Sequence, residues 1–302
     1  MSLPAFAISG SSGLVGAACV LAWRGEGRRV VRIVRRGAGG PDEAWWDPAA
    51  GRIEADKLEG LEAVVHLAGE NVAAGRWNAA RKERIRASRV EGTRLLARAL
   101  AGLKRPPRVL VSASAVGYYG DRGDEPLTED AAPGRGFLAR TCVEWERATA
   151  PAREAGVRVA LPRIGVVLSA AGGALGRMLT PFRLGLGGRL GDGRQYMSWI
   201  ALDDLVAVIR RAIDDEALAG PLNAVSPNPV RNSDFTRALG RLLCRPTVLP
   251  LPAAAVRLLF GEMGRELLLA GAKVVPARLE RAGFSFLHRD LDSALRAALG
   301  SR

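Results

Sequence analysis

Histidine and cysteine are scarce in this chain of 302 residues, which carries two histidines and three cysteines. With only His66 and His288 available, we expect neither a histidine-based metal site nor a histidine-dependent catalytic triad. Cys19, Cys142 and Cys244 lie far apart and form no C-x-x-C motif. We therefore expect free thiols in a reducing compartment, and no metal centre.

Long apolar runs are also lacking. No segment is long enough to cross a bilayer, and the N-terminus shows no signal-peptide pattern, so we expect a cytoplasmic protein without a membrane partner. Hydrophobic residues make up 48% of the chain and charged residues 25%, which are the proportions of an ordinary soluble globular protein.

Acidic residues are outnumbered by basic ones, 31 to 44, which gives a net charge of +13. A charge of this size raises the question of a nucleic-acid partner. The densest basic stretch, residues 76–86, contains Glu83 and belongs to a predicted helix, and no zinc-finger, RRM or helix-turn-helix motif accompanies it. We therefore expect at most a nonspecific contact with nucleic acid.

A glycine-rich turn near the N-terminus is the most informative feature that is present. It follows an apolar run at 3–8 and precedes an apolar segment at helical spacing, 14–23, and a second β-like run, 29–34. A strand, a glycine turn and a helix in this order bring backbone N–H groups close to a dinucleotide pyrophosphate. The alternative is a flexible turn in a chain with 36 glycines, and the flanking elements disfavour it. The predicted cofactor-binding residues here are Gly10, Ser11, Ser12, Gly13, Leu14, Val15 and Gly16.

The end of the second predicted strand carries Arg35 and Arg36, where an acidic residue would favour NAD. Two guanidinium groups suit a 2′-phosphate through charge and bidentate geometry. Arginine is abundant throughout, since only four of the 44 basic residues are lysine, so the pair by itself is a weak signal. The missing acid does not depend on that bias, and the sequence therefore predicts NADP(H) as the cofactor.

Strands and helices alternate through the first part of the chain. This rhythm predicts an α/β protein with a Rossmann-type doubly wound parallel sheet within residues 1–225. A glycine-rich insertion at about 169–200 is expected to contribute to the substrate side, and proline-bounded helical pieces at 226–302 predict a smaller C-terminal substrate lobe. The further predicted elements are strands at 62–67, 108–112 and 157–167, and helices at 77–103 and 137–154 and from 203.

Several strings in the sequence resemble an extended-type short-chain dehydrogenase/reductase. They lie at residues 9–16, 66–69, 90–93 and 111–114. Longer strings resemble the atypical, epimerase-like YfcH subfamily and its C-terminal domain of unknown function, and these are 67–71, 76–78, 163–168, 181–188, 199–205 and 261–284. The resemblance covers nearly the whole chain.

The resemblance implies further contacts with the cofactor. Arg35 and Arg36 match the 2′-phosphate readers of the subfamily, and Val167 would approach the nicotinamide. Arg84 and Arg89 would reach a phosphate or a ribose, although two surface arginines of a helix are the alternative interpretation. The residues implied beside the adenosine half are Leu67, Ala68, Gly69 and Glu70.

The catalytic pair of the superfamily is missing from this chain. Its members use Tyr-x-x-x-Lys on a helix, where the spacing places both side chains on one face. The residues four positions after the three tyrosines are Arg122, Gly123 and Ile200. The remaining candidates are Ser114, where the superfamily keeps a Ser or Thr near the substrate oxygen, and Tyr118 on the same loop. A structural role in a turn is the alternative for both.

The resemblance therefore implies an NADP(H)-binding oxidoreductase or nucleotide-sugar-epimerase-like protein that acts on an unknown small molecule. The alternative is a noncatalytic NADPH-binding sensor or scaffold. Relatives form a four-helix dimer contact through the helices that match about 77–102 and 137–154, so a homodimer is a possible assembly, and a monomer remains open.

Overall fold

The computed structural model describes residues 5–36 and 39–300. The strands within these residues are β1 (Phe6–Ser9), β2 (Val30–Val34), β3 (Glu43–Asp47), β4 (Arg52–Ile53), β5 (Ala63–His66), β6 (Val109–Ser112), β7 (Ser114–Ala115), β8 (Pro126–Leu127), β9 (Arg158–Ile164), β10 (Val166–Leu168), β11 (Tyr196–Met197), β12 (Trp199–Ala201), β13 (Gly220–Ala224), β14 (Val230–Arg231) and β15 (Lys273–Val274). The α-helices are α1 (Leu14–Gly25), α2 (Ala79–Ala101), α3 (Phe137–Arg147), α4 (Ala150–Glu154), α5 (Gly173–Arg183), α6 (Leu202–Asp214), α7 (Asn232–Leu242), α8 (Ala253–Gly264), α9 (Ala277–Arg281) and α10 (Leu291–Leu299). Shorter helical turns span Ala55–Leu58, Val116–Tyr119 and Arg265–Leu269.

A nine-stranded sheet forms the centre of the molecule. Its strand order is β13-β9-β6-β5-β1-β2-β3-β4, with β7 paired to β9, and all neighbours are parallel except β3 and β4. The strand order reverses at β1, which lies between β2 and β5. Ligands of doubly wound sheets bind at the carboxyl ends of the strands beside such a reversal.

Helices cover both faces of the sheet, because consecutive residues of a buried strand point to opposite sides. Ile8 of β1 packs in one core cluster with Trp23 of α1 and Ile209 of α6. Its neighbour Ala7 packs in a second cluster with Leu100 of α2 and Ala152 of α4. The predicted Rossmann-type doubly wound fold is confirmed.

Two predicted elements are divided in the structure. The helix predicted over 137–154 is two helices, α3 and α4, and the second begins next to Pro151, which has no backbone N–H to continue the first. The strand predicted over 157–167 is interrupted at Gly165, where a Cβ would lie 2.5 Å from the Ser198 carbonyl oxygen. Strands β3 and β4 were not predicted, and the first residues of the predicted strand at 3–8 lie outside the described part of the chain.

The C-terminal segment packs against the Rossmann core at several places, and two of them involve its helices. Helices α7 and α10 share an apolar cluster with α5 and with strands β10 and β12. Helix α9 lies against β13. The domain boundary at 225 and 226 stays a prediction. In the residues that the structure describes, no helix is both long and apolar enough to cross a membrane.

Candidate functional site

The loops after β1 and β5 meet at the point where the strand order reverses. Gly10 has a φ of +70°, and a Cβ there would lie 2.8 Å from the carbonyl carbon of Leu67. A Cβ on Gly16, in the first turn of α1, would lie 2.1 Å from the Gly10 carbonyl oxygen. Only glycine permits both approaches, since any side chain would push the turn away from its neighbours. The turn at residues 10–16 therefore forms a hollow lined by backbone atoms, here called the cradle. A side chain at Gly10 or Gly16 would fill it.

The N-terminus of α1 opens into this cradle. Gly13 is the N-cap, no side chain caps it, and its N–H donates to the Gly10 carbonyl at 2.9 Å. Leu14, Val15 and Gly16 form the first turn, whose N–H groups point out of the helix end. Such an end favours an anion through its N–H groups and the helix dipole. The cradle fits a dinucleotide pyrophosphate.

A buried Ser–His contact fixes the two loops relative to each other, and sequence reasoning missed it. Ser9 Oγ lies 2.6 Å from His66 Nδ1 and accepts the N–H groups of Leu67 and Ala68 at 3.2 and 3.3 Å. Both side chains are fully buried. Burial lowers the pKa of His66 to about 4, so the imidazole is neutral at physiological pH. The cross-strand register, Ser9 opposite His66, is the signal that could have revealed the pair.

Glu43, which the sequence did not single out, is the shared acidic partner of two arginines in and after β2. Arg32 Nη2 and Arg36 Nη2 donate to Glu43 Oε1 at 2.5 and 3.1 Å. A hydrogen bond from the Gly39 N–H and the Arg36 guanidinium lower the pKa of Glu43. Arg35 and Arg36 are exposed, and within the described residues Arg35 has no carboxylate within 4.0 Å. The pair thus offers positive charge at the edge of the cradle.

The remaining predicted cofactor residues fall into two groups. Arg89 is half-buried beside the loop after β5, where its Nη1 donates to the carbonyl of Glu70 at 3.0 Å and its guanidinium lies 5.2 Å from the Trp145 ring centre. Removal from water lowers the pKa of Arg89. Arg84 is exposed and does not line the cleft described below, and Val167 lies half-buried in β10. The structure brings Leu67–Glu70 and Arg89 together with the glycine turn.

A cleft of about 990 Å³ opens next to this cradle. Its walls come from the loop after β7, from α3 and α5, and from strands β10 and β11. Residues 263–272 of the C-terminal segment close it from the other side. The cleft is therefore shared between the sheet and the predicted C-terminal lobe, as is common for small-molecule sites.

Two glutamates fasten the C-terminal segment over the cleft. Both oxygens of Glu266 accept N–H groups at the start of α3, from Phe137 and Leu138, at 2.9 Å each. Gly136 makes room for this carboxylate, since a Cβ there would lie 2.9 Å from Glu266 Oε1. Glu262 pairs with Lys82 of α2 at 2.9 Å. These contacts hold the cleft closed on that side.

The face of α3 that lines the cleft carries no acid–base pair. It presents Leu138, Thr141, Cys142 and Trp145. Burial raises the pKa of the Cys142 thiol to about 12, so this group stays protonated and unreactive. Within the described residues, no three potential metal ligands among His, Cys, Asp and Glu come together.

Comparison with known proteins decides the family. The sequence profile of the NAD dependent epimerase/dehydratase family matches residues 6–223. The chain belongs to this family. A domain of unknown function, DUF1731, matches residues 251–298, which include the segment that closes the cleft.

Full-length relatives of the same family are similar over nearly the whole chain. An epimerase family protein of Mycobacterium bovis is 48% identical over 289 residues, which cover 96% of this chain and 95% of the relative. The human epimerase family protein SDR39U1, solved with NADPH, superposes with a TM-score of 0.90 at 33% identity and covers 98% of this chain and 99% of its own. A nucleoside-diphosphate sugar epimerase from Corynebacterium glutamicum superposes with a TM-score of 0.83 at 41% identity. That match covers 99% of this chain, which spans 59% of the longer protein.

The two predicted catalytic hydroxyls lie beside the cleft of this family member rather than on its wall. Ser114 is 2% exposed, and its Oγ donates to Glu146 Oε1 at 2.7 Å. Glu146 in turn forms a two-pronged ion pair with the buried Arg163, at 2.8 and 2.9 Å. Tyr118 lies with its ring 3.5 Å from the Arg163 guanidinium carbon. Their catalytic role stays a prediction.

Proposed function

We propose that this chain binds NADP(H) and transfers a hydride to or from a small molecule, as an oxidoreductase or an epimerase-like enzyme without the Tyr-x-x-x-Lys pair. The observation that carries the proposal is the arginine pair beside the glycine cradle, in a position where NAD-binding members of such folds keep an acid. The NADPH found with human SDR39U1 supports it.

Each part of the cofactor has a group in this chain that would hold it. Gly10–Gly16 would bind the pyrophosphate through backbone N–H groups, and Arg35 and Arg36 would bind the 2′-phosphate. Leu67–Glu70 would lie along the adenosine half. When bound, NADPH would supply a hydride, which carries both electrons of the reduction, to a carbonyl, and NADP⁺ would accept one in the reverse direction.

Arg84, Arg89 and Val167 belong to the same proposal with different support. Arg89 has a half-buried guanidinium that points between the loop after β5 and Trp145, and within the described residues it has no carboxylate within 4.0 Å. A cofactor phosphate would supply the missing counter-charge. For Arg84 the only support is its exposed position on α2. For Val167 the support is its place on β10, the strand that borders the cleft.

Glu43 has a definite role in the proposed phosphate site. Its carboxylate holds Arg36 in place and at the same time neutralises part of its charge. A 2′-phosphate would therefore bind next to the Arg36 guanidinium, which Glu43 already orients and partly neutralises. Arg35, which has no carboxylate partner among residues 5–36 and 39–300, would carry the larger part of the new interaction.

The reaction is tested by following the loss of reduced nicotinamide absorbance over a panel of aldehydes, ketones and diketones. Turnover of NADPH with at least one class of carbonyl is the expected result. Ser114→Ala and Tyr118→Phe are compared with the unmodified protein in the same assay. A fall in kcat of about tenfold or more in either variant would support that residue as part of the proton-transfer path.

A noncatalytic NADPH sensor or scaffold is the second candidate, and the cleft face of α3 favours it. Where catalysis in the superfamily needs a phenol and a lysine, this face has Leu138 and a fully protonated Cys142. NADPH binding without turnover across the carbonyl panel would support the sensor. Steady consumption of NADPH that depends on the added carbonyl would exclude it.

A further inference from the structure

The chain has three tyrosines, all in the described part, and the structure gives each a different environment. Tyr119 is fully buried, its Oη lies 2.6 Å from Asn223 Oδ1, and burial raises its pKa to about 12. Tyr118 is stacked on the Arg163 guanidinium and does not line the cleft. Tyr196 lies on strand β11 and lines the cleft.

Two cations lie over the ring of Tyr196. Arg231 is its cross-strand partner in the antiparallel pair of β11 and β14, and the guanidinium carbon is 5.1 Å from the ring centre. The same guanidinium also forms an ion pair with Asp124 at 3.0 Å, so it is already partly neutralised. Lys273 Nζ, from β15 of the C-terminal segment, is 5.6 Å from the same centre. Lys273 is one of four lysines in the chain, and within the described residues no carboxylate lies within 4.0 Å of it.

The position of Lys273 is fixed by the backbone around it. A Cβ on Gly271 would lie 2.5 Å from the Tyr196 nitrogen, so glycine allows the two segments to touch. Ser198 Oγ donates to the Ala272 carbonyl at 2.7 Å and accepts the Val274 N–H at 3.0 Å. These contacts flank Lys273 on both sides, and they hold it against β11 rather than leaving it free on the surface.

The other acid–base groups on the cleft wall already have structural partners. Glu266 caps α3 with both oxygens, and Asp121 Oδ1 accepts the Gly271 N–H at 3.1 Å. Thr141 Oγ1 donates to the Phe137 carbonyl within its own helix. Tyr196 is the phenol that faces the cleft with cations beside it.

We propose that Tyr196 is the catalytic acid–base residue of this cleft, and that Lys273, supplied by the C-terminal domain, and Arg231 stabilise its phenolate. The phenol–lysine partnership that α3 lacks is thus assembled from two separate elements. It also gives the C-terminal domain of unknown function a chemical task. The proposal rests on the hydride-transfer function proposed above.

In a carbonyl reduction, Tyr196 would give its hydroxyl proton to the carbonyl oxygen, and bound NADPH would supply the hydride to the carbonyl carbon. The carbonyl is reduced to an alcohol, the dihydronicotinamide is oxidised, and the phenolate then regains a proton from solvent. The two nearby cations stabilise the transient negative charge of the phenolate.

One test uses the protein without cofactor. Tetranitromethane nitrates tyrosines through their ionised form, and the modified positions are mapped by mass spectrometry. Tyr196 is expected to react fastest of the three, and Lys273→Met to slow it several-fold, whereas the exposed Lys104→Met leaves the rate unchanged. The proposal would be overturned if Tyr118 were nitrated faster than Tyr196, or if the nitration rate at Tyr196 were the same in Lys273→Met as in the unmodified protein.

The second test measures NADPH affinity and carbonyl-dependent NADPH oxidation in Tyr196→Phe, with Lys104→Met, at an exposed position away from the cleft, as the control. Unchanged NADPH affinity and a kcat lower by about 10²–10⁴-fold are expected for Tyr196→Phe. Lys273→Arg should retain more activity than Lys273→Met. A Tyr196→Phe protein within about threefold of the unmodified kcat overturns the proposal and leaves the function standing. If the unmodified protein binds no NADPH, the proposed function fails, and the nitration result alone decides whether Tyr196 is an activated phenol.

Discussion

At the scale of single residues, the cofactor cradle depends on glycines that no other residue can replace. The Cβ of Gly10→Ala would meet backbone atoms of Leu67 and Ala68 at 2.8–2.9 Å and sit at a φ of +70°. We expect a loss of at least about 2 kcal/mol in the free energy of unfolding, together with loss of NADPH binding. Chemical denaturation measures the first and fluorescence titration the second.

Gly25→Ala is the matched control for that prediction. Gly25 lies in the last turn of α1, and a Cβ there would meet nothing within 4 Å. Since alanine is the better helix former by up to about 1 kcal/mol, stability should be unchanged or slightly higher. A Gly10→Ala protein as stable as Gly25→Ala would contradict the cradle described above.

The buried His66 makes the free energy of unfolding depend on pH. Its pKa is lowered to about 4 in the folded state, against about 6.5 in an unfolded chain. The unfolded state therefore binds a proton first as the pH falls, and stability is lost between about pH 6.5 and 4, by about 3 kcal/mol in total. Above pH 6.5 this residue causes no change.

Denaturant unfolding at several pH values tests this dependence, with His66→Gln for comparison. The variant should have a flatter stability profile between pH 6.5 and 4 than the unmodified protein, because its side chain does not titrate. His288 is partly exposed and its Nδ1 lies 2.8 Å from Ser293 Oγ, and His288→Gln is measured beside His66→Gln as the substitution of the second histidine. Equal slopes in all three proteins would show that His66 is not the titrating group.

The arginine pair gives a prediction on cofactor choice. Arg35→Glu places a carboxylate where the 2′-phosphate is proposed to bind, so NADPH affinity should fall by about tenfold or more while NADH affinity changes little. Arg296→Glu, on the exposed side of α10, makes the same charge change away from the cradle. Equal losses in both variants would point to general electrostatics in a chain of charge +13 rather than to a phosphate site.

At the scale of elements, α3 is joined to β9 by the ion pair of Glu146 and Arg163, whose side chains are 11% and 2% exposed. Glu146→Ala leaves the guanidinium buried without its counter-charge, and we expect a loss of about 3–5 kcal/mol in the free energy of unfolding. Thermal or chemical unfolding measures it.

An exposed pair provides the comparison for this loss. Arg237 and Asp234 form a salt bridge on α7 with side chains 68% and 45% exposed. Asp234→Ala should cost about 1 kcal/mol or less, because solvent screens the pair. If Glu146→Ala were no more damaging than Asp234→Ala, the buried pair would not be what holds α3 to the sheet.

The elements that sequence reasoning predicted well are those with a local signal. The run at 29–34 corresponds to β2 and the segment at 14–23 to α1, with small differences at their ends. Both could be predicted because the pattern of apolar residues along a helix or strand lies within neighbouring residues. The short strands β3 and β4, the break at Gly165 and the break between α3 and α4 were missed. The break at Gly165 depends on Ser198, a partner distant in sequence, and the break between α3 and α4 lies at a single proline. Strands β3 and β4 have partners nearby in the chain, but with five and two residues they give little periodic signal.

The site divides in the same way. The glycine turn and the arginine pair could be predicted because their chemistry lies within a few residues. Ser9 with His66, Glu43 with Arg36, and Tyr196 with Lys273 join residues 57, 7 and 77 positions apart, and these contacts form only when the chain folds. For Ser114 the sequence indicated a hydroxyl near the site, and the structure shows that Glu146 engages it.

At the scale of the whole molecule, the cleft exists only where the Rossmann sheet and the C-terminal segment meet. Residues 263–272 form one wall, and the Glu266 and Glu262 contacts attach that wall to α3 and α2. The two parts of the chain therefore form one site. The proposed homodimer through α2 and α3 stays a prediction, and its surface carries the ion pair of Arg86 and Glu144 at 3.0 Å.

The central claim is that this molecule binds NADP(H) and prefers it to NAD(H). Titration of the purified protein with NADPH and with NADH, followed by calorimetry or by quenching of its six tryptophans, tests it most directly. We predict saturable NADPH binding at least about tenfold tighter than NADH binding, because only NADPH carries the phosphate for Arg35 and Arg36. Equal affinities would contradict the role of the arginine pair, and no binding of either nucleotide would contradict the cofactor site itself.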